Sequence, residues 1–225
     1  MIEKPNMQEE EIQSNYKEFL DFIKKTFKGE RKEKLLVLYG EDVLGMSVAM
    51  SPASTSTNYH LCHAGGYLQH IMHVVKNSFA QKKIYEIGGG TVDWTDEEMV
   101  FAAMHHDLGK LGDPDFGDYY INQNEDWKSR KGELYKLNPN LPYMEVTDRA
   151  VFLLQKYNIS MTWKEYLGIK LADGIYNEAC KKYLLQYNPE LFLKTDLPRI
   201  IHLADYMSCF TERNIAANSK EEERL

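Results

Sequence analysis

Apolar residues recur along this chain at i, i+3, i+4 and i+7, and runs that alternate apolar with polar are scarce, so the pattern predicts an all-α fold. From Glu9 to about Phe27 the set Ile12, Tyr16, Phe19, Leu20, Ile23 and Phe27 keeps helical spacing, which predicts an amphipathic helix lying on the core. A second helix is expected over Lys32 to Leu38. The stretch from Met50 to Asn58, rich in Ser, Thr and Pro, reads as a loop, and Gly65-Gly66 stands near the start of a helix that runs to about Gln81. Beyond the glycines at 88–90, Thr95 and Glu98 form a capping box that opens a helix through Phe101 and Met104, ending near Gly109. From 112 to 142 the chain is rich in Gly, Pro, Asp and Asn and shows no period, which predicts an irregular insertion of the kind that is usually functional or mobile. Helices resume at about Glu145 to Tyr157 and again from Thr162, where Thr162 and Glu165 repeat the capping-box pattern. The last strong helix begins around Pro198, a favourable first helical residue, and runs through Asp205 to about Ile215.

Composition narrows the picture. A chain of 225 residues, 43% of them hydrophobic, can bury one good core, and no repeat or low-complexity tract divides it. One domain over 1–225 is expected, with a core at about 55–212, an N-terminal helix at 9–28 and a frayed charged tail at 218–225. The formal charge of -7 argues against tight, sequence-independent binding of long nucleic acid. A small anionic substrate would need local help from a metal. Cys62, Cys180 and Cys209 are odd in number and lack CxxC spacing, so neither a disulfide framework nor a cysteine-built zinc site is indicated. Free thiols in a reducing cytosol fit best. The polar, acidic amino terminus and the lack of any stretch of about 18 apolar residues predict a cytoplasmic protein with no membrane partner.

The chemistry gathers around the histidines. His60, His63, His70 and His73 lie close together, and His105-His106-Asp107 closes a helix whose preceding residues, Val100 to Met104, are apolar. A buried helix ending in three ionisable residues is costly unless something satisfies them. Neutral imidazoles and carboxylates are the usual ligands of borderline divalent cations, and a mixed nitrogen and oxygen set leaves positions open for water or phosphate oxygens. Adjacent His and Asp side chains on a helix point about 100° apart, so both reach one ion only near the helix end, with other helices supplying the remaining ligands. Three helices must therefore converge.

Three motifs occur in order: Gly65-Gly66-Tyr67-Leu68-Gln69-His70, then Ala103-Met104-His105-His106-Asp107-Leu108-Gly109-Lys110, then Ile201-His202-Leu203-Ala204-Asp205-Tyr206. Over roughly residues 55 to 212 the chain resembles the HD-domain metal-dependent phosphohydrolase superfamily, whose pattern is a His on one helix, a His-Asp pair on the next and a distant Asp on a late helix. The resemblance implies an all-α HD-type bundle in which His70, His106, Asp107 and Asp205 hold one divalent cation (Mn, Co, Fe, Ni, Zn or Mg). Members with two metals add histidines between the His-Asp pair and the last Asp; from Leu108 to Ile201 this chain has none, which implies a single metal.

Roles follow from that resemblance. Asp107 would hold the ion and also orient or deprotonate the attacking water. Lys110, one turn past His106, would meet phosphate charge, although helix dipoles alone favour lysine at such ends. His60 would hydrogen-bond the substrate phosphate or protonate the leaving group. Arg149 would form a bidentate phosphate contact or else be solvated or ion-paired. Relatives often carry a His where Ala172 stands, and Asp173 beside it would partly substitute as a substrate contact. His63, His73 and His105 read as packing or outer partners, and His202 as an outer partner or a surface residue. Tyr119, Tyr120, Trp127, Tyr135 and Tyr143 would stack on a base or pack the insertion. The expected activity is hydrolysis of a phosphate ester or anhydride in a small-molecule nucleotide. The alternatives are a 3′-5′ exonuclease on short single-stranded RNA or DNA and a catalytically silent nucleotide sensor. HD proteins are often dimers or larger, so a homo-oligomer is a further expectation.

Overall fold

The apolar stripe of the first segment does face inward: in a computed structural model that describes residues 7–222, α1 (Glu9–Thr26) buries Ile12, Tyr16, Phe19 and Ile23. Glu9, Glu10 and Glu11 in its first turn and Lys24 and Lys25 in its last complement the helix dipole. α2 (Gly29–Leu38) and the short α3 (Gly45–Met50) follow, and the Tyr16 hydroxyl donates to Tyr39 O at 2.6 Å, tying α1 to the end of α2. Next come α4 (Gly66–Ile87), α5 (Asp96–His105), α6 (Asp126–Ser129), α7 (Val146–Lys156), α8 (Trp163–Lys170), α9 (Glu178–Leu184) and α10 (Leu197–Glu222). Both expected capping boxes form, with the Glu98 amide donating to Thr95 Oγ1 at 3.1 Å and the Glu165 amide to Thr162 Oγ1 at 3.2 Å.

The protein is mostly helical, as the periodicity predicts. α10 packs on α4 and α8, α5 packs on both as well, and α1 packs on α2, α3 and α4. The core between them includes Leu35, Leu38, Val74, Met99, Phe101, Met104, Leu153, Ile169 and Ile201, all fully buried. Each such side chain contributes roughly 1.5–3 kcal/mol by leaving water, so the bundle is held chiefly by this apolar interior. Among the described residues, no helix is long and apolar enough to cross a membrane.

The insertion at 112–142 is ordered, unlike the irregular segment its composition predicts. It contains α6 and an antiparallel pair, β1 (Tyr120–Asn122) and β2 (Tyr135–Leu137), in which Tyr120 faces Leu137 and Asn122 faces Tyr135. Backbone bonds from Leu134 and Tyr135 to Thr55 O, and from Thr57 to Gly132 O, fasten it to the loop before α4. Strands of three residues offer too few positions to show a period of two. α3, α9 and the 3-10 turns at Gly174–Tyr176 and Pro189–Leu191 are short for the same reason and were not expected. α10 continues past Ile215 to Glu222; the last three residues of the tail expected to fray lie outside the described residues.

Candidate metal centre

Two glycine contacts set the local geometry. Gly65 adopts φ 82°, which a side chain would strain, and a Cβ on Gly66 would overlap the Leu61 carbonyl. The loop before α4 therefore presses onto the helix start. Leu61 itself has φ 41°, a conformation costing about 1–3 kcal/mol, and its carbonyl is gripped by the amides of Ala53 and His63. The neighbouring His60 ring is thereby laid 4.7 Å from that of His70, centroid to centroid. At the other motif, a Cβ on Gly109 would overlap Val146 O, so only glycine lets α7 pack flush against the 3-10 turn Leu108–Leu111 that follows Asp107.

Four of the sequence-predicted residues meet. His70 comes from α4, His106 and Asp107 from the end of α5, and Asp205 from α10, so three helices converge as the His-Asp geometry requires. His70 Nε2 lies 3.2 Å from Asp205 Oδ1 and 3.6 Å from Asp107 Oδ2; His106 Nε2 lies 3.7 Å and 3.6 Å from the same two oxygens. Donor atoms of His70, His106 and Asp205 fall within 4.8 Å of one another, a grouping that could hold a metal ion.

The other ring nitrogens explain why these two point inward. His106 Nδ1 donates to Ala103 O at 2.8 Å, and His70 Nδ1 donates to Glu212 at 3.1 Å. Both Nε2 atoms are buried and make no well-directed hydrogen bond, an arrangement that suits metal coordination because each nitrogen, once it sheds any proton, aims a lone pair at the shared space. The field there is strongly attractive to positive charge. Burial pulls the His70 pKa down, but Asp205 and Glu212 outweigh it and raise the value to about 9. Asp205 is opposed by burial yet held well below the carboxylate range by both imidazoles. A field that retains protons on buried rings would also favour a divalent cation, whose binding would release those protons.

Other residues complete the surroundings. Lys110 Nζ sits 2.6 Å from Asp107 Oδ2 and also donates to Ala53 O at 3.3 Å; burial opposes its charge, but Asp107 more than restores it. The His60 pKa falls to about 4, first through burial and then through the charges of His70 and Lys110, so the ring is neutral at pH 7. A cleft of about 730 Å³ opens beside Asp205, walled by Glu145, Asp173, Tyr176, Glu178, His202 and Tyr206. Asp173 is thus brought to the site, and its carboxyl is raised first by lost solvation and then by the charge of Asp107.

Arg149 is not brought to this cleft. It is buried, donates from Nη2 to Pro142 O at 2.9 Å, and lies 5.5 Å from the centroid of the Tyr119 ring. His105 packs between Tyr39 and Phe101 with Nδ1 donating to Phe101 O at 2.6 Å, and burial pushes its pKa down to about 3. His63 donates to the Ala64 carbonyl, and His202, on the cleft wall, to that of Ala172. The five aromatics do not make one platform: Tyr120 is half-buried near Lys110, whereas Trp127 and Tyr143 are exposed.

Sequence reasoning missed Glu212 and Cys209. Glu212 is buried and accepts from His70 Nδ1 and, at 2.8 Å, from His73 Nδ1; Cys209 Sγ lies 3.4 Å from Asp205 Oδ1. A signal existed, because both sit on the Asp205 face of α10, one and two turns on. Carboxylates behind ligating histidines fix ring orientation, so Glu212→Ala is expected to weaken Mn²⁺ or Co²⁺ binding about 10–100-fold by titration calorimetry. An affinity equal to the parent's would mean that His70 needs no such support. Comparison with family models, with curated proteins and with solved structures returned no match.

Proposed function

We propose that this chain is a divalent-metal-dependent phosphohydrolase of the HD type that hydrolyses a phosphate ester or anhydride in small nucleotides. Two buried imidazole nitrogens, each freed to accept by an Nδ1 hydrogen bond and both converging on Asp107 and Asp205, carry the proposal. His70, His106, Asp107 and Asp205 would hold one cation, and Mn, Co, Fe, Ni, Zn and Mg all accept nitrogen and oxygen donors to different degrees. Bound there, such a cation supplies Lewis acidity toward a phosphoryl oxygen and makes water more acidic. Asp107 orients the attacking water and takes its proton. Lys110, kept cationic by Asp107, neutralises phosphate charge. Of the two roles open to His60, a pKa near 4 favours hydrogen bonding to phosphate over protonating the leaving group.

The cleft wall bears on the substrate. Glu145, Asp173 and Glu178 line it, and no Lys or Arg does, so a polyanionic strand would be repelled. This disfavours the exonuclease and favours nucleotides with few phosphates. A cytoplasmic setting goes with the proposal, since Cys62, Cys180 and Cys209 are not joined in disulfides.

The test is product release from ribo- and deoxynucleotide mono- and triphosphates, cyclic nucleotides and a short oligonucleotide, with Mn²⁺, Co²⁺ or Mg²⁺ supplied and Asp107→Ala as control. Turnover of one nucleotide class that vanishes in the variant is expected. Shortening of the oligonucleotide alone would install the exonuclease instead, and metal binding without any turnover would install the sensor.

A further inference from the structure

Beside the four donors above lies a second set with a different chemistry. Donor atoms of His60, His70 and Cys209 also fall within 4.8 Å of one another. Cys209 Sγ is 3.7 Å from His60 Nε2, and the His60 ring lies over that of His70. His70 belongs to both sets, and its Nδ1 is held by Glu212, so the nitrogen it can offer to either is the buried Nε2, which lies 3.2 Å from Asp205 Oδ1. One nitrogen cannot serve two cations at once. The two sets are therefore alternative seats for a single ion.

Their donors sort cations by softness. The first set, with two imidazoles and carboxylates, suits Mn²⁺, Co²⁺ or Mg²⁺; a thiolate with two imidazoles selects soft, thiophilic ions. We propose that His60, His70 and Cys209 form a second, thiophilic metal seat that competes with the carboxylate seat and draws soft ions such as Cd²⁺ away from Asp107. Occupancy exchanges the Cys209 S–H proton for a sulfur–metal bond, the proton passing to solvent, with no change of oxidation state. A cation so placed engages His60, which removes that ring from any phosphate. Thiophilic ions are thus inhibitors of this protein, by displacement as well as by occupancy. The proposal rests on the phosphohydrolase reading only for that last consequence; the seat itself rests on the three side chains.

The experiment titrates the full chain with Cd²⁺ alone and with Mn²⁺ alone, following heat and the ultraviolet thiolate-to-cadmium charge-transfer band. One equivalent of Cd²⁺ is expected to raise the band in the parent protein. Cys209→Ser should lack it and bind Cd²⁺ more than about tenfold more weakly, since even outer partners of metal ligands are worth that much, while its Mn²⁺ affinity stays unchanged. Asp205→Asn should do the reverse, weakening Mn²⁺ and keeping the band. A parent protein without the band, a Cys209→Ser variant with parental Cd²⁺ affinity, or an Asp205→Asn variant that loses both ions would each overturn the second seat. A band that persists while Mn²⁺ binding ignores Asp205 would uphold the thiophilic seat and sink the phosphohydrolase site.

Discussion

If the proposed phosphohydrolase activity holds, replacing Asp107 by Ala is expected to lower kcat on the nucleotide substrate by about 10²–10⁴-fold, the range that a positioned proton acceptor supplies. Asp107 faces both imidazoles and Lys110. Its Oδ2 lies 3.6 Å from both imidazole nitrogens and 2.6 Å from Lys110, so one carboxylate links the donors to the cation meant for phosphate. Without it Lys110 loses the nearest charge that offsets its burial, keeping the Ala53 carbonyl and the more distant charge of Asp205. Lys110 is left buried without that partner, so Tm should fall as well, and kcat is compared at a temperature where both proteins are folded. Measuring Mn²⁺ affinity alongside kcat separates the two duties of the residue: loss of both marks Asp107 as a ligand, and loss of kcat alone marks it as the acceptor of the water proton. Near-parental turnover would show that neither duty is real.

The largest expected loss of stability lies elsewhere, at Glu165. The sequence presents it only as the third residue of a capping box, a role worth about 0.5–2 kcal/mol. In the fold it is fully buried and also receives Arg31 of α2, with Nη1 to Oε1 at 2.6 Å and Nη2 to Oε2 at 3.1 Å. Arg31 in turn reaches Glu97 and Ser160 O, so the pair joins α2, α5 and α8. Burial raises the Glu165 pKa, and Arg31 and the Thr162 amide work against that rise. Truncating one partner of a buried pair costs about 3–5 kcal/mol because the other is left uncompensated. Glu165→Ala should therefore lower Tm by roughly 10 °C, measured by calorimetry, given about 2–4 °C per kcal/mol for a chain of this size. A fall of less than about 1 kcal/mol in urea unfolding would mean that Glu97 and Ser160 suffice for Arg31.

Glu165 also illustrates what a sequence can and cannot disclose. The capping boxes at Thr95 and Thr162 were legible because both members lie within one turn, where spacing dictates contact. The stripe of α1 was legible for the same reason, and Gly66 and Gly109, in the motifs that carry His70 and the His106-Asp107 pair, occupy sites of close backbone approach. Arg31, which meets Glu165 across two helices, gave no local sign. Nor did Glu212: its place on the Asp205 face of α10 was readable, but the partner histidines depend on how α10 docks against α4. The hairpin at 120–137 escaped because three-residue strands carry no measurable alternation, although Tyr120, Ile121 and Tyr135 are residues that favour strands.

The ring of His70 is spanned at both nitrogens by carboxylates of a single helix, Asp205 and Glu212, from a segment far along the chain. Contacts so distant in sequence are expected to form after the local helices have done so. The cage therefore exists only once α10 has docked on α4, and a cation cannot template the steps that precede it. Ion uptake then follows folding instead of driving it. Chelation should empty the site and leave the helical content in place, and the rate at which an ion escapes should track local opening of α10, detectable by amide hydrogen exchange along α4 and α10.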